Sequence, residues 1–130
     1  MASIFTKIIR GEIPCYKVAE TEDCIAFLDV LPLARGHVLV VPKKEVNNYF
    51  DLDEDLFQKV NNLSKKVSHA IKKVVACERI GVSVIGLEVP HAHVHLVPIN
   101  SISDLDFTKD RIKLSPEEFK ELAEKISANL

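Results

Sequence analysis

The sequence predicts an α+β domain. Three observations carry that: short β-branched runs separated by turn residues, one long stretch of helical periodicity, and a capped helix near the end. Taken in order, Ser3 to Arg10 reads as a short helix stopped at Gly11 and Pro14. Tyr16 to Glu20 and Cys24 to Val30 read as strands around the polar turn at 20–23. Pro32 and Gly36 frame a loop. His37-Val-Leu-Val-Val41 is an apolar, β-branched strand closed by Pro42. From Asp51 to Cys77, Leu52, Leu56, Val60, Leu63, Val67, Ile71, Val74 and Val75 recur at spacings of three and four, the signature of a helix with one buried face. Ile80 to Ile85 and Ala92 to Ile99 are the last strands, joined by a tight connection at 86–90. Ser115-Pro-Glu-Glu118 is a capping box with proline at the first helical position, and its helix ends near Asn129.

The chain has 130 residues, enough for one domain that folds without a staple. Its formal charge of −2 gives no basic nucleic-acid footprint, and basic or acidic tails are missing. Cys15, Cys24 and Cys77 are odd in number and widely spaced, which argues against a disulfide framework and for a reducing compartment. The opening residues lack the apolar core of a signal peptide. No apolar run is long enough to span a bilayer. A cytoplasmic protein is expected, without nucleic acid or membrane as partner.

Chemistry concentrates in His91-Ala-His93-Val-His95. Period-two alternation in a strand sets the three histidines on one face and Ala92, Val94 and Leu96 on the other. Each ring has two nitrogens that need partners when buried, so three in a row are costly without a use. Two chemistries suit the row. Neutral imidazoles can share a metal ion, with Asp29 and Glu88 as candidate carboxylates. Alternatively an imidazole attacks phosphorus and the resulting phosphoramidate is released by water.

The run His91-Ala92-His93-Val94-His95-Leu96-Val97 resembles the motif of the histidine triad (HIT) superfamily, His-φ-His-φ-His-φ-φ with φ apolar. Residues 4–14, and the blocks 27–32 and 36–43, resemble the family's opening and central segments, in the expected order. The similarity covers roughly the first hundred residues and is greatest to the small dimeric branch that hydrolyses nucleoside phosphoramidates and related nucleotides. It implies a single HIT-like domain over 1–130, with a family-like core at about 3–100 and a helical C-terminal extension at about 101–130. The implied fold is a five-stranded antiparallel sheet with two main helices, paired as a homodimer through the long helix and a central strand.

The resemblance also implies roles. His93 would be the nucleophile and His95 would contact the phosphate and the leaving atom. His91 would support the network from behind, and His37 would buttress the triad. Asp29 would accept hydrogen bonds from ribose hydroxyls, since an ionised carboxylate only accepts. Phe5, Ile8, Ile13, Phe27 and Leu28 would line an apolar slot for the base of a purine nucleotide. No cofactor is expected. Some bacterial relatives hold a structural zinc through C-x-x-C and later histidines; here those positions carry Ser3, Thr6 and Glu45, which predicts no zinc. The usual phosphate-donor loop is reduced to Gly86-Leu-Glu-Val-Pro90, with Leu87 and Glu88 where Gln and Ser or Thr are often found. A carboxylate there repels phosphate. The expected activity is hydrolysis of nucleotide P–N or P–O bonds through a nucleotidyl-histidine. The alternatives are a dinucleoside polyphosphate hydrolase, a weakly catalytic nucleotide-binding module, and a metal-dependent hydrolase.

Overall fold

The short helix α1 (Ile4–Ile9) forms where the N-terminal reading placed it, with Ser3 capping the Thr6 amide at 3.0 Å and Arg10 ending it. The structure, a computed structural model, describes residues 2–130. After α1 the chain makes β1 (Lys17–Glu20), β2 (Cys24–Leu28) and β3 (Val38–Pro42). A 3₁₀ turn at Tyr49–Asp51 precedes the long helix α2 (Glu54–Val74). Strands β4 (Arg79–Ser83) and β5 (Val94–Ile99), a 3₁₀ turn at Ile102–Leu105 and helix α3 (Pro116–Ala128) follow. The five strands form one antiparallel sheet in the order β1-β2-β3-β5-β4.

Both faces of this sheet are covered, which explains why β2 and β3 are buried at every position. On one face Ala26, Leu28, Val38, Val40, Val94 and Leu96 meet Leu56, Val60, Leu63, Val67 and Ile71 of α2 and Phe119, Leu122 and Ile126 of α3. Each such large side chain contributes about 1.5–3 kcal/mol by leaving water. On the other face Ile25, Phe27, Leu39 and Val41 pack beneath Phe5 of α1 in a smaller apolar cluster. The histidines belong to this second, thinner side.

The long helix starts later than its periodicity implied. Asp53 accepts the Leu56 amide at 2.9 Å and fixes the N-terminus, so Asp51 and Leu52 fall before it. The capping box at Ser115 and Glu118 forms as read. The histidine row departs from expectation: β5 begins at Val94, so His91 and His93 lie on the connection that enters the strand and only His95 sits in the ladder, opposite Leu39 and Ser83. Alternation persists through the connection, because Ala92 still faces the main core.

Gly36 turns the loop into β3 just ahead of His37, at φ +96°. A methyl group there would stand 3.0 Å from Val75 and 3.1 Å from the ring of Pro98, both in the packed interior. Left-handed backbone and steric crowding act together. Gly36→Ala is therefore expected to destabilise the fold by about 2–4 kcal/mol, measured by denaturant unfolding; an unchanged midpoint contradicts the packing described.

Candidate active site

Four buried imidazoles meet on the α1 face: His37 at the head of β3, His91 and His93 on the connection, and His95 in β5. Backbone groups of fixed donor or acceptor character contact His37, His91 and His93, and the tautomers follow from these. The Leu33 amide donates to His37 Nδ1 at 3.0 Å. That nitrogen is therefore an acceptor and the His37 proton resides on Nε2. His37 Nε2–H in turn donates to His95 Nδ1 at 2.9 Å, which leaves His95 with its proton on Nε2.

His93 has the opposite arrangement. Its Nδ1 lies 2.7 Å from the backbone carbonyl of His91, an obligate acceptor, so Nδ1 carries the proton and Nε2 keeps a lone pair. His91 donates from Nε2 to the carbonyl of Pro42 at 2.8 Å and accepts at Nδ1 from the Ser3 hydroxyl at 2.7 Å. The Phe5 ring stands edge-on to both, at centroid distances of 5.7 Å for His91 and 4.9 Å for His93. The result is one N–H donor at His95 and one lone pair at His93, on neighbouring rings 4.9 Å apart.

Burial favours the neutral rings. It pulls the His37 pKa down to about 3 and, with help from His93 and Arg111, the His95 pKa to about 4; His93 is lowered by burial too. His37 Nε2 lies 3.6 Å from an Asp29 carboxylate oxygen, but a ring neutral at pH 7 makes no ion pair there. Asp29 leaves β2 to accept the Leu31 amide at 2.9 Å, and burial pushes its own pKa up, against that amide and the Arg111 charge.

By distance alone Asp29, His37 and His95 could hold a cation. The tautomers oppose it. A metal on His37 Nε2 displaces that proton to Nδ1, where it would face the Leu33 N–H. Ser3, Thr6 and Glu45 converge as well, as a hydrogen-bonded cluster. Ser3 N and the Thr6 hydroxyl both donate to Glu45 at 2.7 and 2.6 Å, and Ser3 Oγ holds His91. Thr6 and Ser3 hold the Glu45 carboxyl down at about 2. Without thiolates, and with Glu45 Oε1 already accepting from Ser3 N and the Thr6 hydroxyl, this set does not fit zinc.

The apolar residues expected around a base divide between two places. Phe5 and Phe27 pack edge-to-face at 5.7 Å and are nearly closed to solvent, with Ile8 against them. Ile13 is half-buried in the turn after α1. Leu28 is a correction. It faces the opposite way from Phe27 and lies in the α2 core, because adjacent strand residues point to opposite faces. A cavity of about 250 Å³ opens beside His93, between Asn47–Tyr49 and Val84–Leu87. Leu87 is almost fully exposed, while the Glu88 charge is felt at His93 and Asp29.

Two contributions were missed in the sequence. The Ser3 hydroxyl that orients His91 is read there only as the start of a short helix and as a position without a zinc ligand. Phe107, from the segment after β5, stands edge-on to His95 at 4.7 Å, and no pattern around it announces this contact.

A buried triad of imidazoles beneath an antiparallel sheet and a short capping helix defines a histidine triad protein. The chain belongs to the HIT domain family, whose model matches residues 10–102. It is 36% identical to the adenosine 5'-monophosphoramidase of Schizosaccharomyces pombe, over 100% of this chain and 99% of that protein. The adenosine 5'-monophosphoramidase of Saccharomyces cerevisiae is 35% identical over 75% of this chain and 62% of its own length. Among solved structures, a Hit-like protein involved in cell-cycle regulation from Bartonella henselae superposes with a TM-score of 0.86 at 35% identity, covering 98% of this chain and 96% of that one.

The pKa directions have a consequence for stability. Each lowered histidine binds fewer protons folded than unfolded as pH falls below its ordinary value of 6.5, so stability is full above that pH and declines toward the folded pKa. The Tm should fall between pH 6.5 and 4.5, and His37→Gln should flatten part of that slope. Parallel profiles for the two proteins would contradict a neutral, buried His37.

Proposed function

We propose that this protein is a nucleotide-binding hydrolase that cleaves nucleoside phosphoramidates, or related P–N and P–O bonds, through a nucleotidyl-histidine on His93. The observation that carries the reading is the bond from His93 Nδ1–H to the His91 carbonyl, which leaves the Nε2 lone pair available for attack. The two yeast relatives named as adenosine 5'-monophosphoramidases support it at the level of the family. Asp29 takes the ribose hydroxyls, with Phe5, Ile8, Ile13 and Phe27 behind the base; Leu28 drops out of the slot.

In the first step His93 Nε2 bonds to phosphorus and the P–N bond breaks. The leaving nitrogen takes the bonding pair and a proton from water. His95, neutral with its proton on Nε2, donates a hydrogen bond to the phosphoryl oxygen or the leaving atom as charge develops. The hydroxide portion of that water then adds to phosphorus, and the His93–phosphorus pair returns to Nε2. His37 keeps His95 in its donor tautomer, and His91 anchors the backbone carbonyl that orients His93. None of these steps uses a cofactor.

Leu87 and Glu88 favour a second reading, a nucleotide-binding module with weak catalysis, since Glu88 opposes an incoming phosphate. A dinucleoside polyphosphate hydrolase would share the same triad. The family-like core and the C-terminal extension act as one domain in this reading. Three unpaired cysteines support a cytoplasmic setting, and no helix among the described residues is long and apolar enough to cross a membrane. A homodimer is supported by the outer edge of β4, which has no strand partner among the described residues and exposes Val82, followed by Val84 and Ile85.

His93→Ala should lower turnover of adenosine 5'-phosphoramidate by at least about a thousandfold, and equal rates for variant and wild type refute the covalent route. Attack requires neutral His93, and burial lowers its pKa. The acid limb of kcat/KM should therefore lie below the ordinary 6.5, and a limb above that value contradicts the site described. Sedimentation at micromolar concentration should give twice the 14.6 kDa chain mass; a 14.6 kDa species removes the dimer.

A further inference from the structure

Beyond β5 the chain turns back over the histidines. The Ile112 amide donates to the carbonyl of Pro32 at 3.0 Å, which ties this segment to the loop carrying Asp29. Phe107 stands edge-on to His95 at 4.7 Å and to His37 at 6.2 Å. The Arg111 guanidinium lies over the Phe107 ring, 5.5 Å from its centroid, and donates through Nη1 to the carbonyl of Leu31 at 2.6 Å. Among the described residues, no carboxylate lies within 4.0 Å of Arg111. Its charge is nevertheless felt at Asp29, His37 and His95.

The Arg111 guanidinium carries five N–H donors, and the Leu31 carbonyl engages only Nη1, which leaves the others open to a ligand. The nearby imidazoles are neutral, and the carboxylates at hand, Asp29 and Glu88, would repel a phosphate. Leu87 and Glu88 provide no side-chain donor to it. A nucleoside phosphate calls for a cation, and Arg111 lies over the Phe107 ring that stands against His95.

We propose that Arg111 is the phosphate-binding residue of this site. It acts with His95 Nε2–H on the phosphoryl oxygens of a nucleoside 5'-phosphate and takes the place of the missing donors of the 86–90 loop. The proposal rests on the nucleotide reading given above. It makes the segment at 106–112 part of the substrate site and the Phe107 ring the platform that carries the cation.

Binding of AMP and of adenosine to the full chain by titration calorimetry separates the possibilities, since the two ligands differ only by the phosphate. Arg111→Gln should weaken AMP roughly 10- to 100-fold and leave adenosine unchanged. If the variant keeps the wild-type preference for AMP, or loses both ligands equally, the assignment of Arg111 is overturned while the nucleotide reading stands. If wild type binds neither ligand, the nucleotide reading fails and takes this proposal with it. Should Arg111→Gln fail to fold, as judged by circular dichroism, Arg111→Lys replaces it. Lysine keeps the charge but loses the planar fork. It should weaken AMP by a smaller factor, again with adenosine unchanged, and equal loss of both ligands overturns the proposal.

Discussion

The donor half of the site, His37 and His95, depends on a single backbone N–H. Leu33 N–H donates to His37 Nδ1, and from that contact the protons on His37 and His95 follow in sequence. A backbone N–H can only donate, so the direction of this relay is fixed as long as the rings are neutral. The His91 carbonyl applies the same logic in reverse to His93. One ring ends presenting an N–H and its neighbour a lone pair, although both are imidazoles in similar burial. Side chains alone would leave those tautomers open.

Holding that arrangement requires a dry environment and rigid supports. The larger core, between the sheet and helices α2 and α3, supplies most of the apolar burial and fixes β3 and β5 side by side. The thinner side, under α1, keeps water from the rings and lowers the pKa of His37, His93 and His95. Ser3 joins the two functions. Its hydroxyl caps α1 and donates to His91, so the helix that covers the site is tied to the first residue of the triad. Hydrogen bonds from Ser3 and Thr6 to Glu45, and from Ser3 to His91, fasten α1 to the chain after β3 and to the triad.

Much of the architecture was legible in the chain. The periodicity of 51–77 located α2, and the Ser115–Glu118 box located α3 with its cap. The triad was legible as well, because apolar residues at period two leave the histidines on one side. Other features depended on contacts far apart in sequence. The entry into β5 at Val94 is set by pairing with β3 and β4, and the propensity of 92–99 has no mark for it. The assignment of Leu28 to the base slot went against alternation, which was itself readable: Phe27 and Leu28 cannot share a face.

Local periodicity and an ordered motif were enough to give the class of fold, the family, and the grouping of three histidines on one side of the chain. Only the tertiary structure decided which nitrogen of each ring carries the proton, because that depends on the Leu33 amide, the Pro42 and His91 carbonyls and the Ser3 hydroxyl arriving from elsewhere in the fold. It alone set Phe107 against His95 and Arg111 over the Phe107 ring. Their segment is held by two backbone carbonyls of the 31–32 loop, and carbonyls leave no trace in a sequence of side chains.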